Sequence, residues 1–243
     1  MKRNDIVKIK DPKSFDDSFF MEMQVLARIE KDFTMLQYLG CVTEIKDTLE
    51  NKDGETYFVP KGTNHMMSMD LIEGQLNTFE HKGITIGDFA RLKEDATIED
   101  LRGPDDPSPE IEKHLNELKV FLSKNVNLIS TIDVIDNAVR FHPLDIWIEL
   151  DAVEIIPVSE INDKISFEGI KIGNEVKISE IADEIMIRHN SNTNERMEKY
   201  FGTTDKITGI YPLKGENLEP DYTDIMVELE NAVGLYVPQA LEV

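Results

Sequence analysis

The chain has 243 residues, 40% of them hydrophobic, which is enough to build one large domain or several small ones and excludes wholesale disorder. Its 48 acidic and 26 basic side chains leave a formal net charge of -22, a field that repels nucleic acid and anionic membranes and excludes both as direct partners. One cysteine, Cys41, excludes an intrachain disulfide and a cysteine-rich zinc centre. The charge is spread along the chain: residues 1–80 carry 10 basic and 15 acidic side chains, residues 81–158 carry 8 and 16, and residues 159–243 carry 8 and 17. No apolar run follows Met1-Lys-Arg-Asn-Asp5 and no stretch reaches membrane-spanning length, so a cytoplasmic protein is expected, in the host cytoplasm if the source is viral.

Taken in order, the predicted elements repeat. Asn4-Asp-Ile-Val-Lys-Ile9, Gly87-Asp-Phe-Ala-Arg-Leu92 and Gly173-Asn-Glu-Val-Lys-Ile178 each set a turn pair before alternating apolar residues, the pattern of a half-buried strand. With Asp5, Asp88 and Asn174 as equivalents, the spacings are 83 and 86 residues. A helical segment follows each opening strand. In the first copy it falls within Phe19–Leu39, where Met21–Glu30 also fits a strand. In the second, Ser108-Pro109-Glu110 is a helix start, and Ile111, Leu115, Leu118 and Leu122 share one face. In the third it covers about Asn194 to Phe201. Each helix is expected to stop at an apolar pair and a small residue before a new strand: Tyr38-Leu-Gly40, Leu128-Ile-Ser130 and Tyr200-Phe-Gly202, which sets Cys41 beside Ser130 or Thr131 and Thr203.

The closing elements repeat as well. Asp145-Ile-Trp-Ile-Glu-Leu-Asp151 and Asp224-Ile-Met-Val-Glu-Leu-Glu230 share one pattern, with Pro157 and Pro238 after them, and Met67–Glu73 followed by Leu76 and Phe79 is the match in the first copy. A hairpin at 50–64 turning at Asp53-Gly54 reads as an extra piece of the first copy. The joints Glu80-His-Lys-Gly83 and Ser159-Glu-Ile-Asn-Asp163 are short and polar.

The ending Gly234, Leu235, Tyr236, Val237, Pro238 and Leu241 resembles the closing hairpin and 3₁₀ turn of SH3-like barrels, and the opening strands and Lys206-Ile-Thr-Gly-Ile210 are similar to their first and second strands. The resemblance implies a mainly β (α+β) fold of three tandem SH3-like repeats, 1–80, 81–160 and 161–243, packed on each other, each with a helical insertion that ordinary SH3 domains lack. Peptide-binding members hold proline-rich ligands on aromatics beside acidic residues. Here aromatics are only 7% and the one tryptophan, Trp147, falls opposite Met226, which reads as packing.

No residue is assigned a catalytic, cofactor-binding or metal-binding role, and no cofactor is expected. Cys41 has no neighbouring base, and His65, His81, His114, His142 and His189 lack metal-site spacing. Glu149 with Asp151 and Glu228 with Glu230 read as solvated faces. The acidic run from Glu99 to Asp106, among Pro104, Pro107 and Pro109, lacks calcium-loop spacing, and the separated glycines Gly83, Gly87, Gly169 and Gly173 form no phosphate loop. The expected function is that of a non-enzymatic acidic module that docks on another protein. The chain is similar in general look to accessory proteins of large bacteriophages, which implies a host enzyme as one such partner. Two alternatives stand beside it: a nucleic-acid mimic blocking a basic groove, and a hydrolase whose site forms between repeats. Function is expected where the copies differ, in the insertions at 14–39, 96–124 and 179–201 and the hairpin at 50–64.

Overall fold

The computed structural model describes residues 1–14, 34–52, 54–61, 63, 66–102, 108–142, 146–189, 191, 193–214 and 219–243. Its secondary structure is mainly β with few helices. The chain divides into two compact units, one of residues 1–115 and 127–155, the other of residues 116–126 and 156–243.

In the first unit, β1 (Ile6–Ile9), β2 (Val42–Glu50), β3 (Thr56–Pro60), β4 (Met67–Ser68) and β5 (Ile72–Leu76) lie in the antiparallel order β4-β3-β2-β1-β5, with a 3₁₀ turn at Met69–Leu71 before the last strand. The joint that follows is a two-residue ladder, β6 (Glu80–His81) with β7 (Ile84–Thr85), turning through Lys82 and Gly83. Then come β8 (Phe89–Leu92), β9 (Asn127–Asp133), β10 (Ala138–His142), β11 (Trp147–Glu149) and β12 (Val153–Ile155), with α1 (Pro109–Lys124) between β8 and β9 in the chain and divided between the two units after Leu115. Their strands pair in the order β12-β8-β9-β10-β11, again with a 3₁₀ turn, Leu150–Ala152, before the last. Both groups share one sheet, because β2 pairs with β9 through Val42↔Ile132 and Thr43↔Thr131. The two threonine hydroxyls meet at 2.8 Å in the interior of that seam.

The second unit holds α2 (Val158–Lys164), β13 (Glu175–Ile178), α3 (Ala182–Arg188), α4 (Glu195–Glu198), β14 (Thr204–Lys214), β15 (Pro220–Leu229), β16 (Leu235–Tyr236), a 3₁₀ turn at Pro238–Ala240 and β17 (Leu241–Glu242). The sheet order is β16-β15-β14-β13-β17. Its core gathers Val176, Ile178, Ile207, Ile225, Val227, Leu229 and Tyr236.

One corner recurs before each opening strand. Asn4, Gly87 and Gly173 take φ of 65°, 97° and 97°, in the left-handed region that asparagine and glycine tolerate. The next residue then offers its carbonyl to the second strand: Ile45 N–H donates to Asp5 O at 2.9 Å, Ile129 to Asp88 O at 2.8 Å and Ile207 to Asn174 O at 2.9 Å. The expected alternation follows, burying Val7 and Ile9, Ala90 and Leu92, and Val176 and Ile178. The three 3₁₀ turns are equally alike: Lys10, Lys93 and Ser179 donate to Leu71 O, Ala152 O and Ala240 O at 2.8, 2.9 and 2.9 Å.

Strand pairing corrects several equivalences. Val7 faces Thr43, Ala90 faces Asn127 and Val176 faces Asp205, so the counterparts of Cys41 are Asn125 and Thr203, not Ser130 or Thr131. Gly40 and Gly202 do end their helical turns with positive φ, but Lys124 stands in their place in the second group and Ser130 lies within β9. The shared pattern at 145–151 and 224–230 is not one element either. Trp147–Glu149 forms β11, which precedes a 3₁₀ turn, whereas Ile225–Leu229 belongs to β15, inside its sheet. Alternation with period two marks any half-buried strand and does not say which one. Likewise Pro157 caps α2 while Pro238 opens a 3₁₀ turn. The hairpin at 50–64 is the β2–β3 connection, matched by β9–β10 and β14–β15, so it is not an extra piece.

Helix α1 starts where expected, with Ile111 N–H donating to Ser108 Oγ at 3.4 Å, though Ile111 itself is 42% exposed while Leu115 and Leu122 are buried. Asn194 caps α4 through Arg196 N–H and Met197 N–H. Helix α3 falls within the insertion expected at 179–201, ahead of the helix expected from about Asn194 to Phe201. Met21–Glu30, His65, Asp53, Asp145 and the prolines 104 and 107 lie outside the described residues.

A Cβ at Gly173 would meet nothing within 4 Å, so only the backbone opposes a side chain there. Gly173→Ala is expected to cost about 1–2 kcal/mol in urea unfolding, and Gly173→Asn clearly less. Equal losses for both variants would contradict the left-handed corner.

Candidate functional site

The second unit carries an open cleft of about 280 Å³. Alternation along β15 builds its wall: Ile225 and Val227 point into the core, leaving Asp224 and Met226 on the outer face. Pro238 and Gln239 come from the 3₁₀ turn, Leu213 from the end of β14, Arg188 and His189 from the end of α3, and Phe167 from the segment after α2. The lining mixes apolar side chains (Phe167, Leu213, Met226, Val237, Pro238) with polar and charged ones (Arg188, His189, Ser191, Asp224, Gln239), and its exposed surface is mostly polar.

The walls are fixed by buried polar contacts. Val237 N–H donates to Met186 Sδ at 3.3 Å, tying α3 to the turn. The Asp205 carboxylate accepts from Asn231 N–H at 2.9 Å and Ala232 N–H at 2.7 Å, which anchors the β15–β16 loop. Tyr211 Oη donates to Glu228 Oε2 at 2.6 Å, so the buried Glu228 is a bonded structural group and not one of a solvated pair with the exposed Glu230. On the rim, Arg188 pairs with Glu184 at 3.3 Å, whereas Asp224 is exposed and no cation pairs with it among the described residues.

The densest chemistry of the first unit is internal. The Arg140 guanidinium lies 4.8 Å from the Tyr38 ring centre and 5.1 Å from that of Trp147, and Trp147 Nε1 donates to Gln37 Oε1 at 3.3 Å. Trp147 is buried with Cys41 and Ala138. Cys41 is fully buried and donates to Gln37 O at 3.3 Å, and burial raises its thiol well above the ordinary range, the opposite of what a nucleophile needs. Burial also pushes the Tyr38 phenol up to about 12, against the opposing pull of Arg140. Arg102 bridges Glu149 (2.9 Å) and Asp136 (3.5 Å), while Asp151 is exposed, so Glu149 and Asp151 do not act as a pair.

The histidines are dispersed. His81 Nε2 bonds Asn137 Oδ1 at 3.1 Å, His142 is buried in β10, and His114 and His189 are exposed. Among the described residues no three histidine, cysteine or acidic side chains gather as metal ligands, and no helix is long and apolar enough to cross a membrane. Met226, a packing position in the sequence, is packed against the core of the second unit and also lines the cleft.

Two measurements check the internal cluster. Cys41 should resist thiol reagents in the folded protein at pH 9 and react only on unfolding; rapid native labelling would contradict its burial. Tyr38 ionises in the unfolded chain near 10 but in the folded one near 12, so its share of stability is whole below pH 10 and is lost as pH rises from 10 to 12. Tyr38→Phe should remove about 2–3 kcal/mol of that decline.

No protein-family model matches the sequence, and no curated protein is similar enough to match it.

Proposed function

We propose that the chain is a non-enzymatic, acidic protein-binding module of three tandem SH3-like repeats, 1–80, 81–160 and 161–243, whose third repeat presents the docking cleft. Three features support the repeats: one strand order recurring three times, the same left-handed corner before each opening strand, and the same 3₁₀ turn before each closing strand. The observation that carries the function is the contrast between two corresponding faces. Ala138, at the start of β10, is covered together with Trp147 by Tyr38 and Cys41 of the first group. Its counterpart Met226 lines an open cleft. The counterparts follow from pairing, since Val139 faces Ile148 as Val227 faces Tyr236. A face the chain closes for itself in one repeat is left for a partner in the next.

The distribution of cations favours this reading over a nucleic-acid mimic. Basic side chains stand among the carboxylates throughout, as in Lys8–Glu73, Lys61–Glu44, Arg91–Glu154, Lys164–Glu160 and Lys177–Glu242, which breaks up any phosphate-like row.

The test is capture of partners from cell extract by the full chain and by Met226→Lys, washed at low salt and at about 0.5 M salt, where surface charge pairs are screened. A partner retained at high salt by the parent and lost by Met226→Lys is expected. Equal capture by both proteins would remove the cleft from the account. Loss at high salt alone would turn it to the electrostatic mimic.

A further inference from the structure

The second repeat seats an arginine of its own beside its 3₁₀ turn. In the second repeat, Glu149 N–H, at the mouth of the 3₁₀ turn, donates to Asp100 O at 2.9 Å. Two residues on, Arg102 turns across the face and bonds Glu149 Oε1 through Nε at 2.9 Å; its two terminal nitrogens reach the carboxylate and the carbonyl of Asp136. In the third repeat, Val237 N–H, at the same place, donates to Met186 Sδ, and two residues on stands Arg188. Asp224 stands two residues before Met226 at a register break within β15, and Asp136 two residues before Ala138 in the turn ahead of β10.

One acceptor has changed. Where the second repeat has Glu149, the third has Val237, which holds no cation. Arg188 is instead paired with Glu184 on its own helix, its side chain 71% exposed, and Asp224 is left on the rim with no cation on it among the described residues. The second repeat thus seats a guanidinium of its own on its carboxylates, while in the third Arg188, though it lines the same cleft as Asp224, pairs with Glu184 instead.

We propose that the cleft of the third repeat receives an arginine side chain of a partner protein, its guanidinium on Asp224 and its apolar neighbours on Met226 and Pro238. This rests on the docking role given to the cleft above. Arginine fits better than lysine because a planar fork can engage a carboxylate and an adjacent carbonyl together, as Arg102 does at Asp136. The net charge of -22 steers a cationic segment towards the surface.

The test uses the full chain carrying ¹³C-methyl methionine, with the Met226 methyl as reporter, and three capped peptides: Leu-Arg-Leu, Leu-Lys-Leu and Leu-citrulline-Leu. The expected result is a saturable shift of Met226 with the arginine peptide, weakened about tenfold by citrulline and by Asp224→Asn, but not by Glu195→Gln, an equal charge change on α4. Equal binding of all three peptides, or indifference to Asp224→Asn, overturns the arginine preference while the docking cleft stands. The preference also falls if no peptide moves Met226 but the captured partner does. If neither peptides nor partner move it, the docking reading falls with the preference.

Discussion

The hydrogen bond from Ile45, Ile129 and Ile207 back to the residue after a left-handed turn sets the frame of the chain. A main-chain carbonyl presented at that corner can be reached only by a strand that starts in one register. Once that register is set, alternation decides which side chains enter the core. The bond contributes little by itself, about 0.5–1.5 kcal/mol. Its weight lies in what it excludes: a slip of one residue would turn Val7, Ala90 or Val176 to solvent and bring a charged or polar neighbour inside. The turn residue is constrained for the same reason, which is why glycine or asparagine stands there each time.

That corner was the most legible part of the sequence, because turn residue and alternation lie within six positions of each other. The 3₁₀ turns were less so. In the second unit Pro238 announces one, but Leu150 and Met69 open the other two without any such marker. The apparent match between 145–151 and 224–230 misled because both stretches meet the same local demand, an apolar side chain at every second place, from different positions in a sheet. Helix α3 lies inside the expected insertion at 179–201, but its bounds carry no local marker: it is seven residues long and Ile181, in the capping position, makes no side-chain cap bond.

The cleft was not legible at all. Its lining runs from Phe167 to Gln239 and assembles only when β14, β15, the end of α3 and the 3₁₀ turn are brought together. No single residue in it is unusual. Val237 stands where strand pairing sets Glu149 in the first unit, a correspondence that only the registers of β10 with β11 and β15 with β16 reveal. Chemistry that looked promising in isolation is absorbed by the fold: Cys41 is shut in, Glu228 is bonded to Tyr211, and Arg140 lies between two rings.

The threonine seam between β2 and β9 bears on how the chain must be made. The first half of β2 has β1 on one side and β9 on the other, while its second half pairs with β3. Until residues 127–133 emerge from the ribosome, Val42 and Thr43 present bare amides and carbonyls along an apolar strand margin, a template for any passing extended chain. Strands β1 to β5 therefore pass through synthesis with one flank unguarded, and their safety depends on how soon β9 arrives.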